Sequence, residues 1–229
     1  MNLTSGQQPN LFWKLLSYIV DIPIEQLSSE FNPTIHLFLS CGEFKLVSDT
    51  AIYSYGLKYE HFVAAFKKIK IESKNPKSIL ILGLGTGSIP QMLQSKFNIQ
   101  ANFDFVEKDP EIIFLFEKYQ DYIFTGQFKC YCEDGLDFLK NSRKKYDLIC
   151  MDIFEDSTIP KKFESKDFLE LLKANLNVSG ILLYNRLHDN SENQKKNNDF
   201  LVPFSQIFPR HLVFKHDYNW ILIVENDLA

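Results

Sequence analysis

SILILGLGTGS, residues 78–88, is a continuous apolar run that ends in three glycines within five positions, Gly83, Gly85 and Gly87. An apolar run of this length, bounded by a turn signal, reads as a fully buried strand. Ile89, Met92, Leu93 and Phe97 follow at helical spacing, so the glycines occupy the turn from a strand into a helix. The chain has only nine glycines in 229 residues, and a third of them in one turn marks a local demand on the backbone. Glycine there permits a tight turn and lets a ligand approach with no Cβ in the way. The helix that follows presents unpaired N–H donors.

Toward the C-terminus, strand and helix keep alternating. Residues 101–107 read as a second strand, and Asp109-Pro110 as the N-cap and first position of the next helix. Residues 128–132 form a third strand and 135–140 begin a helix. Residues 146–152 form a fourth strand. Phe168, Leu169, Leu172 and Leu176 mark a helix stopped by Ser179-Gly180, before a strand over 181–185. A helix over 198–208 precedes an antiparallel pair, 211–216 and 219–224. This order requires right-handed crossovers and a mostly parallel sheet covered on both faces. Ligands of such sheets lie beyond the carboxyl ends of the strands, so the residues that end each strand are the candidates for chemistry.

Three strands end in acids. Glu107, twenty residues beyond Gly87, is placed to accept hydrogen bonds from both hydroxyls of a ribose, or to cap the helix near Asp109. Glu133-Asp134-Gly135 ends the third strand. Asp134 is placed to reach an adenine amino group or to cap the next helix, and the two roles are compatible. Asp152 ends the fourth strand, with Glu155 and Asp156 in the loop behind it. The glycine pattern is G-x-G-x-G, not the G-x-G-x-x-G/A of a dinucleotide fold, whose last position falls on Ser88. That favours a nucleoside with an amino-acid tail over a pyrophosphate.

Toward the N-terminus the pattern changes. Residues 11–20 read as a short helix. Residues 34–40 and 44–48 read as a β-hairpin about Cys41-Gly42-Glu43, and 51–54 as a third short strand. From Leu57, Phe62, Val63, Phe66 and Ile69 form one helical stripe, and 72–77 is a connector. Two units are expected: an extension over 1–75 and a nucleoside-binding unit over 76–229.

Composition narrows the function classes. Hydrophobic residues make up 45% and aromatics 14%, enough for a sizeable core. With 25 basic against 29 acidic residues and a net charge of -4, the chain is neither a disordered polyelectrolyte nor a dedicated nucleic-acid binder. Its basic pairs, such as Lys67-Lys68 and Lys161-Lys162, are dispersed. The four cysteines match no zinc ribbon and suit a reducing cytoplasm. The five histidines show no ligand spacing, so no metal is expected. No apolar run approaches the roughly 18 residues of a membrane span, and the polar start lacks the basic region of a signal peptide. A cytoplasmic location is expected.

The segments SILILGLGTGSIPQML (78–93), FDFVEKDPEI (103–112), CEDGLDFL (132–139) and KYDLICMDIFEDSTIPKKFESKDFLELLKANLNVSGILLYN (145–185) resemble the class I S-adenosylmethionine-dependent methyltransferase fold. More narrowly they resemble its spermidine synthase-like branch, over about residues 34–224. The resemblance implies an α/β, Rossmann-like, seven-stranded sheet with an antiparallel last strand. It also implies a small N-terminal β-domain, represented here by the hairpin and AIYSYGLKYEHFVAAF (51–66). It sets Gly83, Gly85 and Gly87 against the methionine-derived tail, Glu107 on the ribose, and Asp134 with Gly135 near the adenine. Asp152 falls where spermidine synthases hold the acid that takes the proton of the attacking amine. Tyr53, Tyr59 and His61 become wall residues for the acceptor. A homodimer through the N-terminal β-extension is a further expectation.

Two departures from that branch carry the functional reading. Its glycine loop holds an Asp that pairs with the amine of decarboxylated S-adenosylmethionine, and this chain has Thr86 there. Its paired Asp motif after the fourth strand becomes Asp152 and Glu155. An acid beside the glycines repels the carboxylate of intact S-adenosylmethionine, whereas a Thr hydroxyl can donate to it. The expectation is therefore a methyltransferase that uses S-adenosylmethionine on a small-molecule acceptor, with Asp152 and Glu155 catalytic. The alternatives are aminopropyl transfer from the decarboxylated donor and a non-catalytic nucleoside-binding or assembly module.

Overall fold

The computed structural model describes residues 9–48, 52–155 and 157–226. Helix α1 (Leu11–Leu16) is capped by the Asn10 side chain, which accepts from Trp13 N. Strands β1 (Ile22–Leu27), β2 (Ile35–Ser40), β3 (Glu43–Ser48) and β4 (Ile52–Tyr55) form an antiparallel sheet in chain order. Alternate residues Ile35, Leu37, Leu39, Phe44 and Leu46 are buried, the period-two signature of a strand with one covered face. The expected hairpin is β2–β3. β1 is an addition: Pro23 interrupts its apolar pattern, and it is an edge strand, where a missing N–H is tolerated. The expected third strand is β4, and its first residue, Ala51, lies outside the described residues.

A 3-10 turn (Gly56–Lys58) leads into α2 (Glu60–Lys68) and α3 (Ile71–Lys74), the latter lying where a connector was expected. The alternating region follows as β5 (Ser78–Leu82), α4 (Ser88–Phe97), β6 (Asn102–Glu107), α5 (Pro110–Ile123), β7 (Gln127–Cys132), α6 (Gly135–Asn141) and β8 (Tyr146–Met151). After a 3-10 turn (Lys161–Glu164) come α7 (Lys166–Ala174), β9 (Leu176–Leu187), α8 (Ser191–Ile207), β10 (Leu212–His216) and β11 (Asn219–Glu225). The seven-stranded sheet has the order β10-β11-β9-β8-β5-β6-β7. Neighbours from β9 to β7 are parallel, and β11 runs antiparallel to both β9 and β10. The strand order reverses between β5 and β8, which opens the crevice at their carboxyl ends.

Two elements extend beyond their expected limits. β9 starts at Leu176 and runs through Ser179-Gly180, with Ser179 at φ 62 and a register shift against β8. The residues that read as a helix stop are an irregularity inside a strand. α8 starts at Ser191, capped by Asn190; its first two turns, SENQKKNN, are polar even where Asn197 is buried against Arg186, so no apolar stripe announces them.

β5 is buried on both faces, which explains its unbroken apolar sequence. Ile79 and Ile81 join one core, with Phe62, Phe66, Phe105 and Phe116 and the N-terminal residues Ile35, Leu37 and Phe44. Leu80 and Leu82 join a second, with Phe138, Phe168, Leu172, Tyr184 and Phe204. Among the described residues no helix is long and apolar enough to cross a membrane.

Candidate active site

A cleft of about 1030 Å³ lies over the carboxyl ends of β5, β6, β7, β8 and β9 and is closed on one side by the N-terminal sheet. It is lined by Gly83 and Gly85 after β5, Glu107 and Lys108 at the end of β6, and Asp134 and Gly135 after β7. Asp152 and Glu155 after β8, Asn185 in β9, and Tyr53, Tyr59 and His61 complete the wall. The strand-end residues thus converge as the topology requires.

The glycines are set as much by the protein as by any ligand. At Gly83, φ 87, a Cβ would lie 2.4 Å from the Asp152 carbonyl oxygen, so this glycine lets the ends of β5 and β8 meet. At Gly85 a Cβ would lie 2.8 Å from Ser54 Cβ, and at Gly87 2.6 Å from the Phe116 ring. Gly83 and Gly85 line the cleft, whereas Gly87 and Thr86 do not. Thr86 is 3% exposed and donates its hydroxyl to Ser54 Oγ at 2.8 Å. Ser54 Oγ in turn shares a 2.6 Å hydrogen bond with Ser88 Oγ. This corrects the expectation for Thr86: its hydroxyl ties the turn to β4 and is not offered to a ligand. What survives is the absence of an acid at that position.

Glu107 is poised as an acceptor. Its Oε2 accepts from Leu84 N at 3.2 Å and its Oε1 from Asp109 N at 3.1 Å. Burial raises its carboxyl above the usual range, and these backbone donors hold it down. Asp134 caps α6 through Leu136 N, at 3.0 Å from Oδ1, while its Oδ2 accepts from Lys162 Nζ at 2.6 Å. The capping role expected for Asp134 is present, and Lys162, a member of an apparently dispersed pair, is its partner. Gly135 packs beneath, where a Cβ would lie 2.8 Å from Ile153 Cδ1.

At the other end of the cleft, Asp152 Oδ1 accepts from Asn185 Nδ2 at 2.8 Å and from Tyr59 OH at 3.3 Å. Both donors converge on one oxygen, and Oδ2 has no partner among the described residues. Burial pushes the Asp152 carboxyl up to about 7, against the pull of these two hydrogen bonds. Burial and the adjacent Asp152 charge keep Tyr59 a phenol well above its ordinary range. His61 Nε2 lies 3.3 Å from Asn185 Nδ2. Burial first, and then His216, push His61 down to about 3, so it is a neutral imidazole that accepts from Asn185. Asn185 is fully buried, and its Oδ1 accepts from Asn219 Nδ2 at 2.9 Å, which fixes the amide so that both its hydrogens face the cleft.

Asn185 and Asn219 were not anticipated from the sequence. Asn185 ends the apolar run ILLYN, so the strand-end logic applied to the first four strands would have found it in the fifth. Asn219 carries no such signal. Glu155, expected beside Asp152 in the chemistry, is exposed and pairs with Lys108 at 2.5 Å. Lys108 Nζ also lies 4.9 Å from the Phe31 ring. Asp156 lies outside the described residues. Tyr53, expected as an acceptor wall, donates to Asn32 Oδ1 at 2.8 Å. Asn32 and Ser29 each reach Asp109 Oδ2 at 2.6 Å. Asp109 is fully buried and also caps α5. The loop between β1 and β2 is therefore strapped to the start of α5, on the β6 side of the cleft.

Comparison with known proteins places the chain in a family and a fold. Residues 57–216 match the family model described as the spermine/spermidine synthase domain. Over 111 residues the chain is 34% identical to a probable polyamine aminopropyl transferase of Bifidobacterium longum, covering 48% of this chain and 24% of that protein. Over 134 residues it is 27% identical to the eEF1A lysine and N-terminal methyltransferase of Bos taurus, covering 54% of this chain and 19% of that protein. The matches take in a quarter or less of the length of these two relatives. A solved structure of a probable spermidine synthase from Corynebacterium glutamicum superposes with a TM-score of 0.71 at 16% identity, over 88% of this chain and 79% of that one. That likeness is one of fold.

Proposed function

The chain belongs to the spermine/spermidine synthase domain family, and on that premise we propose that it transfers a methyl group from intact S-adenosylmethionine to a small-molecule acceptor. Transfer of an aminopropyl or methyl group is the activity named for its relatives. The observation that carries the choice is the β5 turn. It holds no acid, and Thr86 beside Gly85 is buried against Ser54. An amine-only tail finds no counter-charge in that turn, and a carboxylate-bearing tail meets no repulsion from a side chain of the turn itself.

The residues fit such a donor. Glu107 keeps lone pairs facing the cleft for two ribose hydroxyls, and Gly83 and Gly85 present bare backbone. The donor supplies a methyl group made electrophilic by its sulfonium. Asp152 takes the proton of the acceptor nucleophile on Oδ2, since Oδ1 is held by Asn185 and Tyr59. Its carboxyl, raised to about 7, is matched to a base that works near neutrality. His61, uncharged, orients the acceptor and does not act as an acid. The strapped β1–β2 loop excludes water from one side. The unit boundaries at 75 and 76 belong to the same proposal, with the N-terminal unit forming the acceptor wall and, on the surface of its sheet, a contact between two copies.

One observation favours a second reading, aminopropyl transfer. The cleft carries nine carboxylates, among them Glu30, Glu60, Glu155 and Asp189, and such a surface attracts a polyamine. Thermal-shift titration with S-adenosylmethionine, its decarboxylated form, S-adenosylhomocysteine, methylthioadenosine, NAD and spermidine ranks the readings, because stabilisation grows with ligand concentration over Kd. The methyl reading requires the intact donor and S-adenosylhomocysteine to lead. Leadership by the decarboxylated form would replace it, and silence from every nucleoside would favour a non-catalytic module.

A further inference from the structure

The cleft that holds nine carboxylates has only two lysines among its described lining residues, Lys58 and Lys108. In such a cleft the carboxylate of an intact amino-acid tail is the one donor group that the local charge opposes. Thr86 does not help it, because its hydroxyl is committed to Ser54. Lys108 is also committed, at 2.5 Å from Glu155. Lys58 has no carboxylate partner among the described residues, and its Nζ lies 6.0 Å from the centroid of the Tyr55 ring, at the limit of a cation–π contact.

Its backbone is held in place. Lys58 ends the 3-10 turn that begins at Gly56, and the carbonyl of Leu57 in that turn accepts from Lys96 Nζ of α4 at 3.0 Å. On one side the segment leads back to Ser54, against which Gly85 packs. On the other it leads directly to Tyr59, which bonds Asp152. Lys58 therefore lines the cleft from a short, anchored stretch whose flanking residues pack against the glycine turn and bond Asp152. The geometry points to Lys58 as the residue that binds the carboxylate of the donor's amino-acid tail and so selects the intact donor over the decarboxylated one. This assignment rests on the methyl-transfer reading. A long flexible cation supplies the counter-charge from the opposite wall, and the β5 turn itself stays neutral.

The test compares S-adenosylhomocysteine, which carries the tail, with methylthioadenosine, which lacks it, by calorimetry on the full chain. Lys58→Met should weaken S-adenosylhomocysteine about tenfold, the loss of one charge-assisted hydrogen bond. Methylthioadenosine binding should stay unchanged, which also reports that the variant is folded. Lys58→Arg should restore most of the affinity. An unchanged affinity for S-adenosylhomocysteine in Lys58→Met, or an equal loss for both ligands, would overturn the assignment of Lys58. Tighter binding of decarboxylated than of intact S-adenosylmethionine by the unaltered chain would instead overturn the methyl-transfer reading on which it rests.

Discussion

Asp152 gathers the most consequences at the scale of single residues. With one oxygen pinned and the other open, Asp152→Asn keeps the shape of the site and removes the carboxylate proposed as the proton acceptor. The transfer rate should fall by about 10²–10⁴-fold while nucleoside affinity changes little, as read from single-turnover rates beside a binding titration. Because burial raises the carboxyl to about 7, the base is ionised only above that pH, so activity should decline as pH drops through 7. Stability moves the other way. A carboxyl whose folded pKa lies above its unfolded value binds more protons when folded, so its contribution is full below about 4 and is lost as pH rises through about 7. Asp152→Asn should therefore raise Tm at pH 8 by roughly 3–6 °C and leave it nearly unchanged at pH 4. Gly83→Ala places a Cβ against the Asp152 carbonyl at a positive φ and should cost about 2 kcal/mol or more in denaturant unfolding. Glycines and strand-end acids were legible in the sequence because the topology assigns them places. The partners of Thr86 and Tyr53 were not legible, since Ser54 lies 32 residues from Thr86 and Asn32 lies 21 from Tyr53, and such pairings have no local signature.

Among the elements, the β1–β2 loop is the part of the site that the sequence concealed most fully. β1 was masked by Pro23, and without β1 the segment before the hairpin had no reason to reach the cleft. Asp109 connects it to the Rossmann-like unit by capping α5 with one oxygen and holding Ser29 and Asn32 with the other. The sequence showed the cap and not the strap. The two functions separate by mutation. Asp109→Ala removes a cap and strands the buried Asn32 donor and the half-buried Ser29 hydroxyl, and should lower stability by about 3 kcal/mol. Ser29→Ala removes one strap bond and should cost only about 1 kcal/mol. If the loop covers the nucleoside, Ser29→Ala should also weaken S-adenosylhomocysteine several-fold by raising its dissociation rate, measured by stopped flow. Equal dissociation rates in the variant and the parent chain would show that the loop is not a cover. β9 and α8 start earlier than their sequence pattern indicates for a related reason. A bulge at Ser179 and a polar helix face each remove the periodicity by which elements are found.

Taken whole, the molecule joins its N-terminal sheet to the larger sheet through one apolar core, to which Ile35, Leu37 and Phe44 belong together with Phe62, Phe66, Ile81 and Phe116. The division near residue 75 is thus a change of architecture within a shared core. Heat denaturation followed by fluorescence and by far-UV circular dichroism should give coincident transitions, and separate ones would contradict the shared core. The same union sets residues of the N-terminal sheet against the strand ends of the larger sheet across one cleft that Asp152 also lines. If this cleft moves a methyl group from an intact donor, the nucleoside left behind identifies the transfer. The chain should be incubated with equimolar S-adenosylmethionine and its decarboxylated form, over a panel of small amines and other nucleophiles, and the adenosyl products resolved by mass spectrometry. Accumulation of S-adenosylhomocysteine, abolished in Asp152→Asn, is the predicted result. Accumulation of methylthioadenosine with an aminopropylated amine would contradict it.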